Sequence, residues 1–578
     1  MNQYTQTIVV GLDVGMTFTG VVVGRHSPGQ RVQFEIVSAW PGQTSLKVPS
    51  TISYPEDSEP LWGFQAHAYS PTYAWFKPLL DPTTPYDDFQ EIVSYAKFAE
   101  LRLVTLAPGK GPGAMIGDYL RQVYRFVLNY LGLVNANPHE IRFQFCFSTP
   151  VIWEENAQLA MRRAICEAGF GNAFPGHVKL SSESEASATY FLDREGSALK
   201  AGDVFCLCDL GGYTIDSATY RVFSREPALR LTQITKSCGL RCGAIKVVVG
   251  FFDLMIDRFK GDFERVFRQE DGLTSQFMQD FTQIKERFNG SNVVHRLRLD
   301  LGAVDSKFYD SQKMEILLSL ADLQHIFQPV ISQSLDLMSR QLNEADQECR
   351  LRGEGRTTHL VITGGFANSP YAKAHYEDFA AKRGVQLVIP ENPAIATAYG
   401  SAISGIYDVT YTQKKCARTY GLQHDDLMLT KKRDKERGMS ERIKERSNGV
   451  IAPITWLFRK GNMYEESFNY TRRFELLHSS DQALIKTITV YSADRKTPPT
   501  SCEKADKSKL TPIDYVNLNL SPIPLDGHPH LTDAEGKTYY QIYVDVTAIL
   551  CLKKGELNIE CRVNGVLCGD CQTFPVWS

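Results

Sequence analysis

Short apolar segments that end at glycine-containing turns alternate with amphipathic segments along most of the chain. Residues 7–25 and 204–222 each predict two strands joined by a tight turn, and residues 143–153 and 359–365 predict further strands. Apolar positions at helical spacing predict helices over residues 118–132, 156–170, 245–290, 321–350 and 396–406. Strands that alternate with helices in this way predict an α/β architecture.

The pattern changes after about residue 411. Residues 429–449 form a dense run of mixed charge, which predicts a solvated loop or a frayed helix rather than a nucleic-acid arm, because acidic and basic residues are interspersed. Beyond this run, apolar and polar positions alternate and are interrupted by proline and Asp-Gly turns. We therefore expect a separate β-rich domain over residues 450–578.

Composition and charge narrow the classes of function. The chain has 578 residues, of which 43% are hydrophobic and 22% charged, as is ordinary for a globular protein with several domains. A net charge of −3 gives no reason to expect nucleic-acid binding. No signal-peptide pattern and no transmembrane segment is recognised, so a cytoplasmic location is expected, with a nuclear one also open.

The thirteen cysteines allow two interpretations. Cys568 and Cys571 have the spacing of a metal or redox pair, and Cys551 and Cys561 lie nearby. No histidine stands among them at ligand spacing, and an intracellular chain keeps its thiols reduced. Structural thiols are favoured over a zinc site.

Candidate chemistry lies in two related segments, GLDVGMTFTG around Asp13 and CDLGGYTID around Asp209. Each is an apolar strand that ends in Asp-x-Gly and is followed by a turn and a threonine. Glycine lets backbone amides approach anionic oxygens, and an aspartate at the strand end can hold a hydrated divalent cation. The two segments therefore predict a duplicated phosphate-binding hairpin, although the aspartates could also simply form turns.

Six segments resemble, in their order along the chain, the ATPase domain of the heat-shock protein 70 family within the actin-like superfamily. They are LDVGMT, STPVIW, SESEASATY, DLGGYTID, VITGGFANSP and NPAIATAYG. KCARTYG and VYSADR resemble its divergent, member-twelve-like branch and the fungal relatives of that branch. The resemblance implies an α/β fold in which a duplicated actin-like (ribonuclease H-like) ATPase domain of two lobes precedes a β-rich domain. The implied boundaries are 1–200 for lobe I, 201–411 for lobe II, 412–449 for a linker and charged loop, and 450–578 for a β-sandwich-like substrate-binding domain.

The same resemblance implies ATP or ADP and Mg²⁺ as cofactors, with Asp13 and Asp209 orienting water around the metal. The residues matched to catalysis are Lys77, Glu183, Asp209 and Asp216. Those matched to nucleotide binding are Asp13, Gly15, Met16, Thr17, Gly211, Gly212, Tyr213, Thr214, Lys285, Gly364 and Gly365. Lys77 as an ordinary surface lysine and Lys285 as an exposed helix charge stay open as alternatives.

Four positions depart from the family pattern. Met16 stands where the family has a threonine, Tyr213 replaces a glycine, and Asn368 and Ala394 replace polar residues around the base. Tyrosine tolerates positive φ less well than glycine, so the second turn is expected to differ. These departures favour nucleotide binding over fast hydrolysis.

Three functions are compatible with these residues. The first is a slowly ATP-hydrolysing, chaperone-like protein whose partners are extended peptides and co-chaperones; the second is a nucleotide-binding scaffold without significant hydrolysis; the third is a small-molecule kinase on the same fold. Residues 107–117 are rich in glycine and contain a lysine, but they lack the Gly-Lys-Ser/Thr ending of a phosphate loop and predict a mobile loop. The oligomeric state stays open.

Overall fold

The structure is a computed structural model. It describes residues 6–68, 71–81, 102–103, 105–133, 141–171, 178–225, 229–269, 275–407, 410–423, 427–429, 454–466, 468–499, 510–533, 536–552 and 556–573. The chain forms two compact units, one made of Met1–Leu229 with Ser237–Val409 and the other of Arg230–Lys236 with Thr410–Ser578. Beyond residue 429, the predicted charged run lies outside the described residues. The predicted domain boundaries stay predictions.

The first sheet of the first unit is built around the hairpin that carries Asp13. Strand β1 (Gln6–Val14) pairs antiparallel with β2 (Phe18–His26) and parallel with β11 (Ile141–Thr149). The other strands of this part of the chain are β3 (Gln33–Ile36), β4 (Ala39–Trp40), β5 (Gln43–Thr44), β6 (Val48–Pro49), β7 (Thr51–Ser53), β8 (Leu61–Trp62), β9 (Thr72–Ala74), β10 (Arg102–Leu103) and β12 (Val178–Ser182). The sheet order is β12, β11, β1, β2, β3, and β6 also pairs with β2.

A second sheet repeats this arrangement around the hairpin that carries Asp209. Strand β13 (Val204–Leu210) pairs antiparallel with β14 (Ile215–Ser224) and parallel with β20 (His359–Thr363). Strand β21 (Gln386–Val388) extends the sheet beside β20, and β16 (Cys238–Leu240) pairs with β14. All residues of β13 are buried, as its continuous apolar run predicts. The remaining strands of this unit are β17 (His295–Arg298), β18 (Tyr309–Asp310) and β19 (Glu315–Leu318).

Helices of the first unit pack against these sheets, and two hydrophobic clusters fill the space between them. The helices are α1 (Pro112–Tyr130), α2 (Glu155–Glu167), α3 (Glu183–Arg194), α4 (Ile245–Gln269), α5 (Gln276–Arg287), α6 (Leu320–Leu351), α7 (Pro370–Arg383) and α8 (Ala396–Ile406). Short 3-10 turns cover Gly63–Ala68, Lys77–Leu80, Gly196–Ala198, Gly365–Asn368 and Pro393–Ile395.

The predicted elements are present, with differences at their ends. Helix α1 begins at Pro112 rather than at 118, because proline is favoured in the first turn of a helix, where no amide donor is needed. Strand β11 ends at Thr149 rather than at 153, because Pro150 has no amide to donate to the ladder. The strands and helices together confirm a mixed α/β protein.

Helix α8 is held against two other elements at glycine positions. A Cβ on Gly11 of β1 would lie 2.2 Å from the Ala398 carbonyl oxygen, and one on Gly400 would lie 1.7 Å from the Ala186 carbonyl oxygen of α3. These distances are shorter than any Cβ contact allows, so only glycine permits this backbone packing. Helix α8 therefore joins the first sheet to α3.

The described elements of the second unit are strands and one 3-10 turn at Leu525–Gly527. They form sheets in the orders β25-β23-β28-β29 and β24-β27-β31-β32-β33, and β15 pairs parallel with β22. A third hydrophobic cluster lies among them. The strands are β15 (Arg230–Gln233), β22 (Thr410–Lys415), β23 (Thr419–Gln423), β24 (Leu427–Leu429), β25 (Thr455–Phe458), β26 (Met463–Glu465), β27 (Asn469–Ser479), β28 (Ile485–Ala493), β29 (Thr511–Asn519), β30 (His530–Thr532), β31 (Thr538–Cys551), β32 (Glu556–Val563) and β33 (Val566–Thr573).

The described residues contain neither a helix able to span a membrane nor a cluster of side chains arranged to bind a metal directly. None of their helices has the length and apolar character needed to cross a membrane. No group of three or more histidine, cysteine or acidic side chains among them is arranged to hold a metal ion directly, and Cys561, Cys568 and Cys571 are free thiols.

The packing of α8 predicts a large difference between two Gly→Ala substitutions. Gly400→Ala should lower the free energy of unfolding by at least about 3 kcal/mol, because the methyl group meets a backbone carbonyl that cannot move alone. Gly113→Ala in α1 is the matched control, since open space surrounds that position, and its effect should lie between zero and a gain of about 1 kcal/mol. Denaturant unfolding measures both, and equal effects would contradict the packing argument.

Candidate functional site

The two glycine turns close in the same way. The Gly15 amide donates to the Phe18 carbonyl oxygen at 3.0 Å, and the Gly211 amide donates to the Thr214 carbonyl oxygen, also at 3.0 Å. A Cβ on either glycine would lie within 2.7 Å of the carbonyl oxygen that its own amide binds. Glycine is therefore required at both positions for a steric reason that the sequence pattern anticipates.

The two turns lie against each other. A Cβ on Gly212 would be 2.5 Å from the Thr17 hydroxyl oxygen, so the second turn meets the first at a position without a side chain. Gly243 and Ile245, at the start of α4, donate to the carbonyl oxygens of Tyr213 and Gly212 at 2.8 and 2.9 Å. Because C=O and N–H point in opposite directions across a trans peptide, the amides of Tyr213 and Thr214 point away from α4.

The aspartates at the two strand ends have different neighbours across their hairpins. Asp209 stands opposite Asp216 in the β13–β14 ladder, whereas Asp13 stands opposite Gly20 in the β1–β2 ladder. Asp13 Oδ2 accepts a hydrogen bond from Lys47 Nζ at 2.8 Å, and both side chains are largely buried. The first hairpin thus carries an ion pair where the second carries two carboxylates.

Asp209 is buried and held by two hydroxyl groups. Ser187 Oγ of α3 and Thr397 Oγ1 of α8 each donate to Asp209 Oδ2 at 2.8 Å. Burial raises the pKa of Asp209 to about 6, and the two hydrogen bonds oppose that rise. The carboxylate is therefore oriented by the two helices that Gly400 brings together.

Asp216 retains one unsatisfied oxygen. Its Oδ1 accepts the Val151 amide at 2.9 Å, whereas its buried Oδ2 has no hydrogen-bond partner among the described residues. Burial raises the pKa of Asp216, and the negative charge of Asp209 raises it further. An orphaned carboxylate oxygen in a buried site is a position where a ligand or water can donate.

Lys77 and Glu183 form a buried ion pair. Lys77 Nζ lies 3.2 Å from Glu183 Oε1, with side-chain exposures of 6% and 13%, so the alternative of an ordinary surface lysine is wrong. The ammonium also lies 5.0 Å from the centre of the Trp153 ring. Burial raises the pKa of Glu183, Lys77 lowers it, and the charges of Asp216, Asp13 and Asp209 raise it. The four carboxylates therefore belong to one electrostatic site.

The Gly364–Gly365 turn lies beside Asp209. Gly364 has a φ of 88°, and a Cβ there would be 2.5 Å from Asp209 Oδ1, so a side chain is excluded. Nothing lies within 4 Å of a Cβ on Gly365, so that glycine faces open space. The turn thus excludes a side chain next to Asp209 and has open space at its second glycine.

The other predicted residues lie in a hydrophobic cluster, in the last turn of a helix and in two 3-10 turns. Met16 and Tyr213 are buried in one hydrophobic cluster, so both departures from the family pattern serve packing. Lys285 lies in the last turn of α5, where burial lowers its pKa, and no described contact joins it to the Asp13–Asp209 set. Asn368 and Ala394 lie in the 3-10 turns Gly365–Asn368 and Pro393–Ile395.

Three side chains of the site were missed by sequence reasoning. Ser187 and Thr397 lie within SESEASATY and NPAIATAYG, so a signal was available for both. Lys47, in SLKVPS, lies in no motif. It reaches Asp13 because the next two residues form β6, which pairs with Phe18 and Thr19 of β2.

The raised pKa of Asp209 predicts that nucleotide-free protein loses stability as the pH rises. The folded state keeps a proton on Asp209 up to about pH 6, whereas the unfolded state releases it near 3.8, so unfolding releases a proton within this window. Relative to Asp209→Asn, the wild-type free energy of unfolding should fall by about 2 kcal/mol between pH 4 and 6. Glu183 and Asp216 extend the trend to higher pH in the same direction.

Denaturant unfolding across this pH range measures the difference. Asp378→Asn is the control, since that aspartate is 62% exposed on α7. A wild-type minus Asp209→Asn difference that is flat with pH would contradict the burial of an ionisable Asp209.

Comparison with established protein families finds no family that matches this chain. Three curated proteins are similar to part of it. Human heat shock 70 kDa protein 12B is 22% identical over 249 residues, which is 39% of this chain and 34% of that protein. Mouse heat shock 70 kDa protein 12A is 22% identical over 280 residues, 44% of this chain and 39% of that protein, and human 12A is 22% identical over 250 residues, 39% and 35%.

The matched regions therefore span less than half the length of these relatives. The similarity is weak, and it supports a relationship with heat-shock-protein-70-like proteins of the actin-like ATPase type. It is consistent with an actin-like fold for the mixed α/β part of the chain.

Proposed function

We propose that this chain is a heat-shock-protein-70-like ATP-binding protein that hydrolyses ATP slowly. The observation that carries the proposal is the contact between the two glycine turns, because these turns follow Asp13 and Asp209 at the ends of β1 and β13, two strands of different sheets. The same arrangement of strands around β1 and β13 supports a duplicated, two-lobed domain. The similarity to heat shock 70 kDa proteins 12A and 12B agrees with this assignment.

Several features suit a nucleotide. The amides of Tyr213 and Thr214 point away from α4, and amides that share a direction in a turn can bind phosphate oxygens. The open space at Gly365 leaves room for the nucleoside part, as the family resemblance implies for the Gly364–Gly365 pair. Lys285 is proposed as a contact to the ribose.

The charges of the site suit a cation. Four carboxylates, those of Asp13, Glu183, Asp209 and Asp216, share the site with the ammonium groups of Lys47 and Lys77, and Asp216 Oδ2 has no partner among the described residues. We propose that Asp13 and Asp209 hold Mg²⁺ through water, since the described carboxylates are not arranged to ligate a metal directly. Bound Mg²⁺ would neutralise charge on the phosphates.

Glu183, Asp216 and Lys77 are proposed as the hydrolytic residues. Hydrolysis forms a bond from water oxygen to the γ-phosphorus and breaks the bond to ADP, and the water proton needs an acceptor. A carboxylate whose pKa is raised by burial is a better proton acceptor than one in solvent. Lys77, held by Glu183 and Trp153, would supply positive charge to the γ-phosphate.

A nucleotide-binding scaffold without hydrolysis is the second candidate. It is favoured by the ion pair between Lys47 and Asp13 and by the burial of Met16 in a hydrophobic cluster, where the family has a hydroxyl group. Turnover measurements separate this candidate from the first.

Substitutions at the ion pair should affect turnover more than binding. Glu183→Gln and Lys77→Gln should each lower steady-state ATP turnover by about a hundredfold, because each removes a group that acts on the transferring phosphate. Affinity for ATP, measured by calorimetry, should change less than about tenfold for Glu183→Gln. Glu59→Gln is the control for the carboxylate, because Glu59 is 74% exposed and pairs with Arg125.

Each result decides between the candidates. Absence of nucleotide binding by wild type would overturn the whole proposal. If the wild-type protein binds ATP but does not hydrolyse it, the nucleotide-binding scaffold is the remaining candidate. Phosphate transfer to a polyol instead of water would indicate a kinase.

A chaperone role with extended peptides and co-chaperones as partners is the finer part of the proposal. In the second unit, the outward face of β28 and β29 exposes Ile485 and Tyr515, with threonine and asparagine between them. An extended peptide would contact such a face through polar and apolar groups. The proposed location is the cytoplasm.

If nucleotide binding and peptide binding are coupled, the bound nucleotide should change the affinity of the chain for a peptide. An unfolded, fluorescein-labelled peptide should bind the full chain with at least a threefold difference in affinity between ATP and ADP. Tyr515→Ser should weaken peptide binding without changing ATP affinity, whereas Phe223→Ser, at an exposed aromatic residue of the first unit, should change neither. Equal peptide affinities with both nucleotides would argue against a chaperone cycle.

A further inference from the structure

The Lys47–Asp13 ion pair occupies a place where nucleotide-binding sites usually depend on a metal. Lys47 Nζ is 2.8 Å from Asp13 Oδ2, and the side chains are 21% and 11% exposed. Asp13 is one of the two aspartates proposed to hold metal-bound water. In this chain its carboxylate already has a cationic partner from the protein itself.

Lys47 is positioned by the first hairpin. The residues that follow it, Val48 and Pro49, pair with Thr19 and Phe18, and the Ser50 amide donates to the Thr17 carbonyl oxygen at 2.9 Å. The segment is thus paired with Thr17, Phe18 and Thr19, the residues at the end of the first glycine turn. Lys47 is therefore held beside the turn that is proposed to bind phosphate.

Gly20 provides the space for the lysine. A Cβ on Gly20 would lie 3.3 Å from the Lys47 Cε atom and 2.8 Å from Ile395 Cδ1. In the second hairpin the corresponding position, opposite Asp209, is Asp216. The first hairpin thus has the Lys47 side chain packed against Gly20, whereas the second hairpin has the carboxylate of Asp216 at the corresponding position.

The ammonium group of Lys47 can make hydrogen bonds beyond its contact with Asp13. A lysine ammonium has three donors, of which Asp13 Oδ2 takes one. The remaining donors can bind phosphate oxygens without loss of the ion pair.

We propose that Lys47 is a built-in counter-cation for nucleotide phosphate, which gives this chain nucleotide binding that is largely independent of Mg²⁺. The inference rests on the proposed function and adds a residue and a metal dependence to it. Lys47 bridges Asp13 and a phosphate oxygen, and part of the charge that a metal would supply comes from the protein. A purely structural Lys47 would instead stabilise the fold and leave metal dependence unchanged.

Calorimetric titration of the full chain with ADP, in excess Mg²⁺ and in EDTA, tests the proposal. Wild type should bind ADP in the two buffers with affinities within about threefold of each other. Lys47→Gln should bind about tenfold or more weakly in EDTA than in Mg²⁺, because the metal must then supply the missing charge. Lys47→Arg keeps the charge and should behave as wild type.

Lys110→Gln is the matched control. Lys110 forms a part-buried ion pair of similar geometry, with its Nζ 2.7 Å from Asp118 Oδ2, and the same ammonium lies 4.7 Å from the centre of the Tyr54 ring. This substitution should leave the ratio of affinities in the two buffers unchanged. A ratio that changes equally in Lys110→Gln and Lys47→Gln would overturn the proposal.

A second pair of variants covers the case in which Lys47→Gln does not fold because Asp13 is left without its partner. In EDTA, Asp13→Asn/Lys47→Gln should bind ADP about tenfold more weakly than Asp13→Asn alone. Equal binding by these two variants, or a steep Mg²⁺ dependence of wild type that Lys47→Gln does not alter, overturns the inference and leaves the proposed function standing. Absence of ADP binding by wild type in both buffers overturns both.

Discussion

The backbone contact of α8 with β1 and α3 is the constraint on which the site depends. A Cβ on Gly11 or Gly400 would lie 2.2 or 1.7 Å from a carbonyl oxygen, so no residue other than glycine fits at either position. This contact brings Ser187 of α3 and Thr397 of α8 within 2.9 Å of each other and onto the same oxygen of Asp209. The close packing of α8 against β1 and α3 therefore fixes the orientation of the Asp209 carboxylate, as rigid elements commonly do for polar groups at a site.

Buried charge is the second determinant. Several carboxylates in a site of low solvent exposure repel one another and are poorly solvated, and the raised pKa of Asp209, Asp216 and Glu183 reflects both effects. The site is consequently more stable when protons, lysines or bound cations reduce its negative charge. Such a loss of folding stability is common at functional sites, because polar groups that must bind a ligand lack hydrogen-bond or charge partners until the ligand is bound.

Two hairpins with similar sequences have different electrostatic properties. Both place an aspartate before a glycine turn that closes at 3.0 Å, yet one faces Gly20 and Lys47 while the other faces Asp216. Local sequence determines the turn, because glycine is sterically required there. Neighbouring segments determine the charge, because Lys47 comes from a separate segment, directly before β6.

Local sequence is sufficient to locate the strands, helices and turns of this protein, whereas the charge of the site depends on how distant segments pack together. Continuous apolar runs were enough to predict β1 and β13, and apolar residues at helical spacing were enough to predict α6 and α8. The glycine turns marked Asp13 and Asp209. Errors occurred at element ends, where Pro112 and Pro150 set the limits. Three features depend on segments far apart in the chain: the contact of Lys47 with Asp13, the Asp216 oxygen that lacks a partner among the described residues, and the burial of Lys77. Such features leave no periodic pattern in the sequence.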